Sequence, residues 1–108
     1  MPNLYHISFG FKGVPKVRDL EPAFSDFEDD WIRLSPFMWM LWSPKSPMEL
    51  YQRLRPLVDD ADTFFVSQVD TSQCVGFLDP WVWNWINQKL PGSILTGDEL
   101  NRLLPPPR

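Results

Sequence analysis

The chain has very little of the residues that build most catalytic and metal sites. Its 108 residues include one cysteine and one histidine. Cys74 can form no intramolecular disulfide and no thiolate zinc cluster, and we expect a bystander thiol rather than a nucleophile. His6 lies beside Ser8 and could act as a general base, but we expect a structural or interface role. No Gly-rich phosphate loop, nucleophile elbow or His-Glu metalloprotease spacing occurs.

Long apolar runs and a positive charge balance are also missing. The longest apolar run, residues 37–42, is far too short to cross a membrane. The N-terminus has no basic stretch before an apolar one, so we expect no signal peptide and a cytoplasmic location. The net charge of -4 disfavours direct nucleic-acid binding, because phosphate contacts need Lys and Arg. An acidic surface favours a protein partner.

Carboxylates are the remaining candidates for chemistry. Asp29 and Asp30 form one cluster, and Asp59, Asp60 and Asp62 form another. Either could hold Mg²⁺ or Ca²⁺, but neither has the alternating ligands and central glycine of an EF-hand loop. We expect solvated acidic turns, and the sequence predicts no catalytic residue, no metal and no cofactor.

The order of the apolar stretches predicts the fold. Large residues at every second position predict a strand over residues 4–11. Further strands are predicted over 31–34, 37–42 and 64–69. A helix is predicted over 19–28, capped by Asp19, and a second over 47–55, where Ser46 and Glu49 form a capping box. This β-α-β-β-α-β order is typical of an α+β, ferredoxin-like antiparallel sheet with both helices on one face.

The C-terminal part is predicted to extend this sheet and add helices. Residues 74–78 could form a fifth, short strand, and residues 81–90 predict a third helix after Asp79-Pro80. A second capping box at Thr96 starts a short last helix through Leu104. We therefore predict a single ferredoxin-like domain over residues 1–104 with a C-terminal helical extension, and an extended tail over 105–108.

Both faces of the 37–42 strand are apolar, so a second cover is needed opposite the helices. A partner subunit or the C-terminal segment could supply it. The six tryptophans favour core and interface packing over base stacking, which also needs a basic groove. The predicted interface residues are Leu4, His6, Ser8, Met38, Met40, Trp42, Trp81 and Trp83.

Several stretches carry a family resemblance. They are residues 4–9, 37–42 followed by 46–50, 53–62, 76–78 and 83–87. In these stretches the chain resembles the small CRISPR-associated adaptation nucleases and their stand-alone, SinR-like relatives. The resemblance implies a ferredoxin-like protomer that dimerises by bringing two sheets together. In the nuclease members an aspartate at the end of the first strand binds the metal. The matching position here is Gly10, or Ser8 in a shifted register, and neither supplies a carboxylate.

Two functions are compatible with these observations. The first is a non-catalytic interaction module, an acidic homodimer that docks on another protein. It could inhibit a nucleic-acid-binding complex such as a CRISPR effector, as phage-encoded inhibitors do. The alternative is a divergent metal-dependent nuclease that uses Asp29, Asp30 or Asp62. A toxin–antitoxin component is a third option without a specific mark in the sequence.

Overall fold

The computed structural model describes residues 2–26, 29–74 and 76–90. Its internal contacts divide the chain between Val69 and Asp70 into two compact units, which are described separately below. The single domain predicted over residues 1–104 stays a prediction. The last helix predicted at 96–104 and the tail at 105–108 lie outside the described residues.

The first unit is a four-stranded antiparallel sheet with two helices. Along the chain it contains β1 (Asn3–Gly10), α1 (Val17–Asp26), β2 (Asp30–Ser35), β3 (Met38–Ser43), α2 (Pro47–Leu54), a 3-10 turn (Arg55–Leu57) and β4 (Thr63–Gln68). The strand order is β2-β3-β1-β4, and each pairing is antiparallel. The α+β, ferredoxin-like prediction is therefore confirmed.

Both helices pack on the same face of the sheet. Alternate residues of β1 supply one side of the core, as the period-two pattern predicts. The helices bury an apolar stripe against them. The fully buried members of this core are Tyr5, Ile7, Leu20, Phe24, Trp39, Leu41, Leu50 and Leu54.

The first helix begins earlier than the sequence predicts. It starts at Val17, and the carbonyl of Lys16 accepts hydrogen bonds from the backbone N–H groups of Asp19 and Leu20. Asp19 therefore lies in the first turn, where its charge favours the helix N-terminus, and is not the cap. Pro22 lies inside the helix, where it supplies no N–H to the backbone ladder. Residues 27 and 28 of the predicted helix lie outside the described part.

The second helix begins where its capping box predicts. Ser46 Oγ accepts from the backbone N–H of Glu49 at 3.2 Å, and Glu49 Oε1 accepts from that of Ser46 at 3.2 Å. The helical spacing of its apolar residues predicts a buried stripe that includes Leu50, Tyr51 and Leu54. Leu50 and Leu54 are buried, but Tyr51 is 48% exposed. The prediction is therefore wrong for Tyr51, whose ring lies beside Phe64 at the margin of the core.

The second unit contains a 3-10 turn (Thr71–Gln73) and one helix, α3 (Pro80–Lys89). Residues 74 and 76–78 are not in a strand. The fifth strand predicted over 74–78 is therefore wrong for the residues described. In α3, Val82, Trp83 and Ile86 are buried, whereas Trp81 is exposed. Tryptophans at positions 81, 83 and 85 of one helix cannot all face inward, and the difference between Trp81 and Trp83 agrees with this.

Candidate functional site

The face of the sheet opposite α1 and α2, here called the second face, carries most of the predicted interface. The strand register places Leu4 opposite Trp42, His6 opposite Met40 and Ser8 opposite Met38. Side chains directly opposite each other in a pleated sheet leave the same face. The register therefore brings the β1 and β3 members of the predicted interface together. Trp81 and Trp83 lie in the second unit.

Exposure changes along the second face. Leu4 and Met40 are buried. At the other end, Ser8 lies between Met38 and Phe65, which are 37% and 59% exposed. Sequence reasoning missed Phe65, because two adjacent phenylalanines in β4 do not show which one faces the helices. Met38, Ser8 and Phe65 are here called the open row.

His6 lies half-buried on the second face between two neighbouring strands. It lies opposite Met40 on β3 and Ser67 on β4, and burial lowers its pKa. Among the described residues, no hydrogen bond joins His6 to Ser8 or to a carboxylate. His6 is thus largely neutral at pH 7 and has no orienting partner there of the kind a general base needs.

Gly10, which the resemblance matches to the metal-binding aspartate, lies against the Thr63 side chain. A Cβ atom at Gly10 would lie 2.5 Å from Thr63 Oγ1, its cross-strand neighbour. A carboxylate at this position would therefore require the Thr63 side chain to move. Within the described residues, no group of three His, Cys, Asp or Glu side chains is placed to hold a metal ion.

Asp29 belongs to a polar cluster at the end of β3. Its Oδ2 accepts hydrogen bonds from Ser43 Oγ and Lys45 Nζ, both at 2.7 Å. Ser43 Oγ also accepts from the Lys45 backbone N–H, and Tyr5 Oη donates to the Lys45 carbonyl. Ser43 and Tyr5 are buried. The cluster holds the chain after β3 against the sheet, and Asp29 is engaged there rather than open to a cation.

Asp62 belongs to a second cluster, which joins the loop after β1 to the loop before β4. Its carboxylate accepts from Lys16 Nζ and from the backbone N–H groups of Lys12 and Asp59. These bonds, led by the one from Lys16, lower the pKa of Asp62 to about 2.

The structure keeps the proposed nuclease carboxylates apart. Asp30 pairs with Trp42, which lies opposite Leu4 at the start of β1, whereas Asp62 precedes Thr63, which pairs with Gly10 at the end of β1. The two clusters therefore lie at opposite ends of the sheet. Asp29 and Asp30 cannot share a metal ion with Asp62 in this fold.

Four of the ten basic side chains of the sequence form ion pairs within the described residues. Lys16 is ion-paired with Asp59 and Asp62, and Arg55 with Asp60. Lys45 and Arg33 are paired as well, with Asp29 and Glu21. These internal pairs leave fewer cations to neutralise phosphates, which is the main source of affinity for nucleic acid.

An apolar groove lies between α2 and the edge strand β4. It has a volume of about 240 Å³ and is lined by Pro47, Met48, Tyr51, Phe64 and Val66. Met48 is 63% exposed. Apolar side chains at an unpaired sheet edge are typical of surfaces that bind an extended strand.

In the second unit, Cys74 has the surroundings of an unreactive thiol. Its Sγ lies 3.8 Å from the Thr71 carbonyl, and burial raises the pKa of the thiol. A raised pKa leaves less thiolate at neutral pH, which agrees with the expected bystander role.

Comparisons with known proteins found no match among protein-family models, curated proteins or solved structures. The resemblance to the CRISPR-associated adaptation nucleases therefore stays a prediction. No helix in the described part of the chain is long and apolar enough to span a bilayer.

Proposed function

We propose that this chain is a non-catalytic protein-interaction module. In this proposal it is an acidic homodimer that docks on a basic, nucleic-acid-binding protein, such as a CRISPR effector, and competes with the nucleic acid. The observation that carries the proposal is the net charge of -4 together with the ion pairs that engage four of the ten basic side chains, Lys16, Arg33, Lys45 and Arg55. Such a surface repels phosphates and attracts the basic channels that bind them.

The open row supplies the apolar part of the docking surface. Met38 and Phe65 expose large side chains on both sides of Ser8. Protein interfaces combine such an apolar centre with a polar rim. The separated carboxylates and the lack of a carboxylate at Gly10 argue against the nuclease alternative.

Light scattering in the presence of a labelled oligonucleotide tests whether the chain is a homodimer that does not bind nucleic acid. We expect a dimer whose mass does not change when the oligonucleotide is added, and no Mg²⁺-dependent cleavage. A gain in mass, or cleavage that disappears in the Asp62→Ala variant, would refute the charge argument.

Competition tests the docking step. Purified CRISPR effector–guide complexes are titrated with a labelled target duplex, with and without the chain, and polarisation reports binding. The wild-type chain and Val14→Lys should reduce duplex binding, because Val14 is an exposed loop residue outside the open row. Phe65→Lys should lose the effect. Equal activity of the two variants would exclude the open row as the docking surface.

A further inference from the structure

Among the described residues, β2 and β4 form the two edges of the sheet, and they are protected very differently. β2 carries Asp30 and Arg33, and its register with β3 shifts between Arg33 and Ser35. Arg33 Nε also binds Glu21 Oε1 at 2.7 Å. Charges and bulges of this kind prevent a further strand from pairing. β4 has the sequence TFFVSQ, with no charge and no proline, and pairs with β1 in an unbroken register.

The hydrogen bonds of β1 show which groups of β4 point outward. The Val69 N–H donates to the Leu4 carbonyl at 2.7 Å, so these two residues form a hydrogen-bonded pair. Since such pairs alternate along an antiparallel ladder, Thr63, Phe65 and Ser67 also bond to β1. The N–H and C=O groups of the intervening residues therefore point away from the sheet. Those residues are Phe64, Val66 and Gln68.

From this geometry we infer that β4 pairs with β4 of a second copy, antiparallel about a two-fold axis at Val66. The inference rests on the proposed homodimer and names its interface. Val66 then faces the partner's Val66, and Phe64 faces the partner's Gln68. Each is a hydrogen-bonded pair, so every outward group of these residues gains a partner. The two sheets become one continuous sheet.

Side chains and charges fit the same arrangement. Phe64 and Val66 leave the sheet on the helix side and line the groove with Met48 and Tyr51 of α2. The two-fold axis places the two grooves side by side, which removes apolar surface from water. No charged side chain lies within β4. Just outside it, the register places Asp62 opposite the partner's Asp70 at each end, and the ion pair of Asp62 with Lys16 offsets this repulsion.

Disulfide trapping tests the position of the axis. In a Cys74→Ser background, Val66→Cys places one thiol on each side of the axis. Hydrogen-bonded pairs have Cα atoms about 5.5 Å apart, within the range that a disulfide spans. We expect Val66→Cys to form a covalent dimer under mild oxidation. The matched control Thr63→Cys should stay uncrosslinked, because the two copies of residue 63 are about 20 Å apart in this register.

A proline substitution tests the pairing without a disulfide. Gln68 is exposed and its N–H points outward, so Gln68→Pro spares the ladder to β1 but blocks a bond to the partner. We expect wild type and Gln68→Ala to have twice the 12.7 kDa chain mass by light scattering. Gln68→Pro should weaken the dimer at least about tenfold. Circular dichroism checks that it stays folded.

The outcomes separate this inference from the proposed function. A monomeric wild type at high concentration refutes both the homodimer and its edge interface. In another outcome the wild type is a dimer, Gln68→Pro leaves its mass unchanged, and Val66→Cys does not crosslink. This outcome overturns the edge interface but not the homodimer. A Val66→Cys crosslink together with a Gln68→Pro monomer supports it.

Discussion

Trp39 occupies the centre of the core and offers a test of the packing in this fold. It is fully buried on β3. Its ring meets Phe9 edge to face at 5.1 Å between centroids and stacks on Phe24 at 5.3 Å. Its indole Nε1 is buried without a hydrogen-bond partner among the described residues. The ring thus stabilises the core while its N–H group destabilises it.

These two effects predict different costs for two substitutions. Trp39→Ala removes both aromatic contacts and should lower the free energy of unfolding by about 3–5 kcal/mol. That is a large part of the roughly 5–15 kcal/mol expected for a chain of this size. Trp39→Phe loses the burial of about two ring carbons, or ~1–2 kcal/mol. It also removes an unsatisfied donor whose burial costs about 1–3 kcal/mol. The net change should therefore be within about 1 kcal/mol.

Urea unfolding, followed by circular dichroism and by the fluorescence of the other tryptophans, measures both changes at a constant m-value. Trp31→Phe is the matched control, since Trp31 also contacts Phe24. Its indole N–H is not among the buried groups that lack a hydrogen-bond partner. This variant should lose ring burial without the gain that comes from removing an unsatisfied donor. A cost above about 3 kcal/mol for Trp39→Phe would refute the reasoning, because the indole N–H would then be a favourable contact.

Further substitutions test the remaining local features. Ser46→Ala should cost about 1 kcal/mol in urea unfolding by removing the cap of α2. Asp29→Ala should cost about 3 kcal/mol in the same assay, because it leaves the largely buried Lys45 ammonium without this carboxylate. The pKa of Asp62 falls from 3.8 to about 2 on folding, so its stabilisation is complete above pH 4 and is lost as the pH falls towards 2. Asp62→Asn should flatten this part of the stability profile. Because burial raises the pKa of Cys74, its alkylation at pH 8 should be slower in the folded chain than in urea; equal rates would contradict this.

Sequence periodicity and capping were enough to predict most elements of the first unit. The alternation in β1 and the Ser46–Glu49 capping box act over a few residues, so the local sequence contains their cause. The start of α1 was harder to predict, because the Lys16 carbonyl rather than an Asp19 side chain begins its hydrogen bonding. The prediction of a fifth strand at 74–78 was wrong because a short apolar run does not by itself supply a partner strand.

The arrangement of the candidate site could not be predicted from the sequence, because it depends on contacts between residues that are distant in the chain. Asp29 and Asp62 look alike as members of acidic turns, but Lys45 and Lys16 engage them at opposite ends of the sheet. Leu4 and Ser8 alternate onto the same face, yet one is buried and the other lies in the open row. Local sequence could not distinguish them, because residues far away in the chain decide what packs onto each position.

The sequence by itself determined the order of strands and helices in the first unit, the helix-facing side of β1 and the acidic charge balance. Those properties follow from backbone propensity, alternation and composition, which act locally or add over the whole chain. Only the tertiary structure decided that β4 is an edge strand of the described sheet and that its outward groups belong to Phe64, Val66 and Gln68. A strand's neighbours are set by pairing with residues far away in the chain. The six residues of β4 would have all their backbone groups paired in the middle of a sheet, whereas at an edge the outward groups are available to a partner.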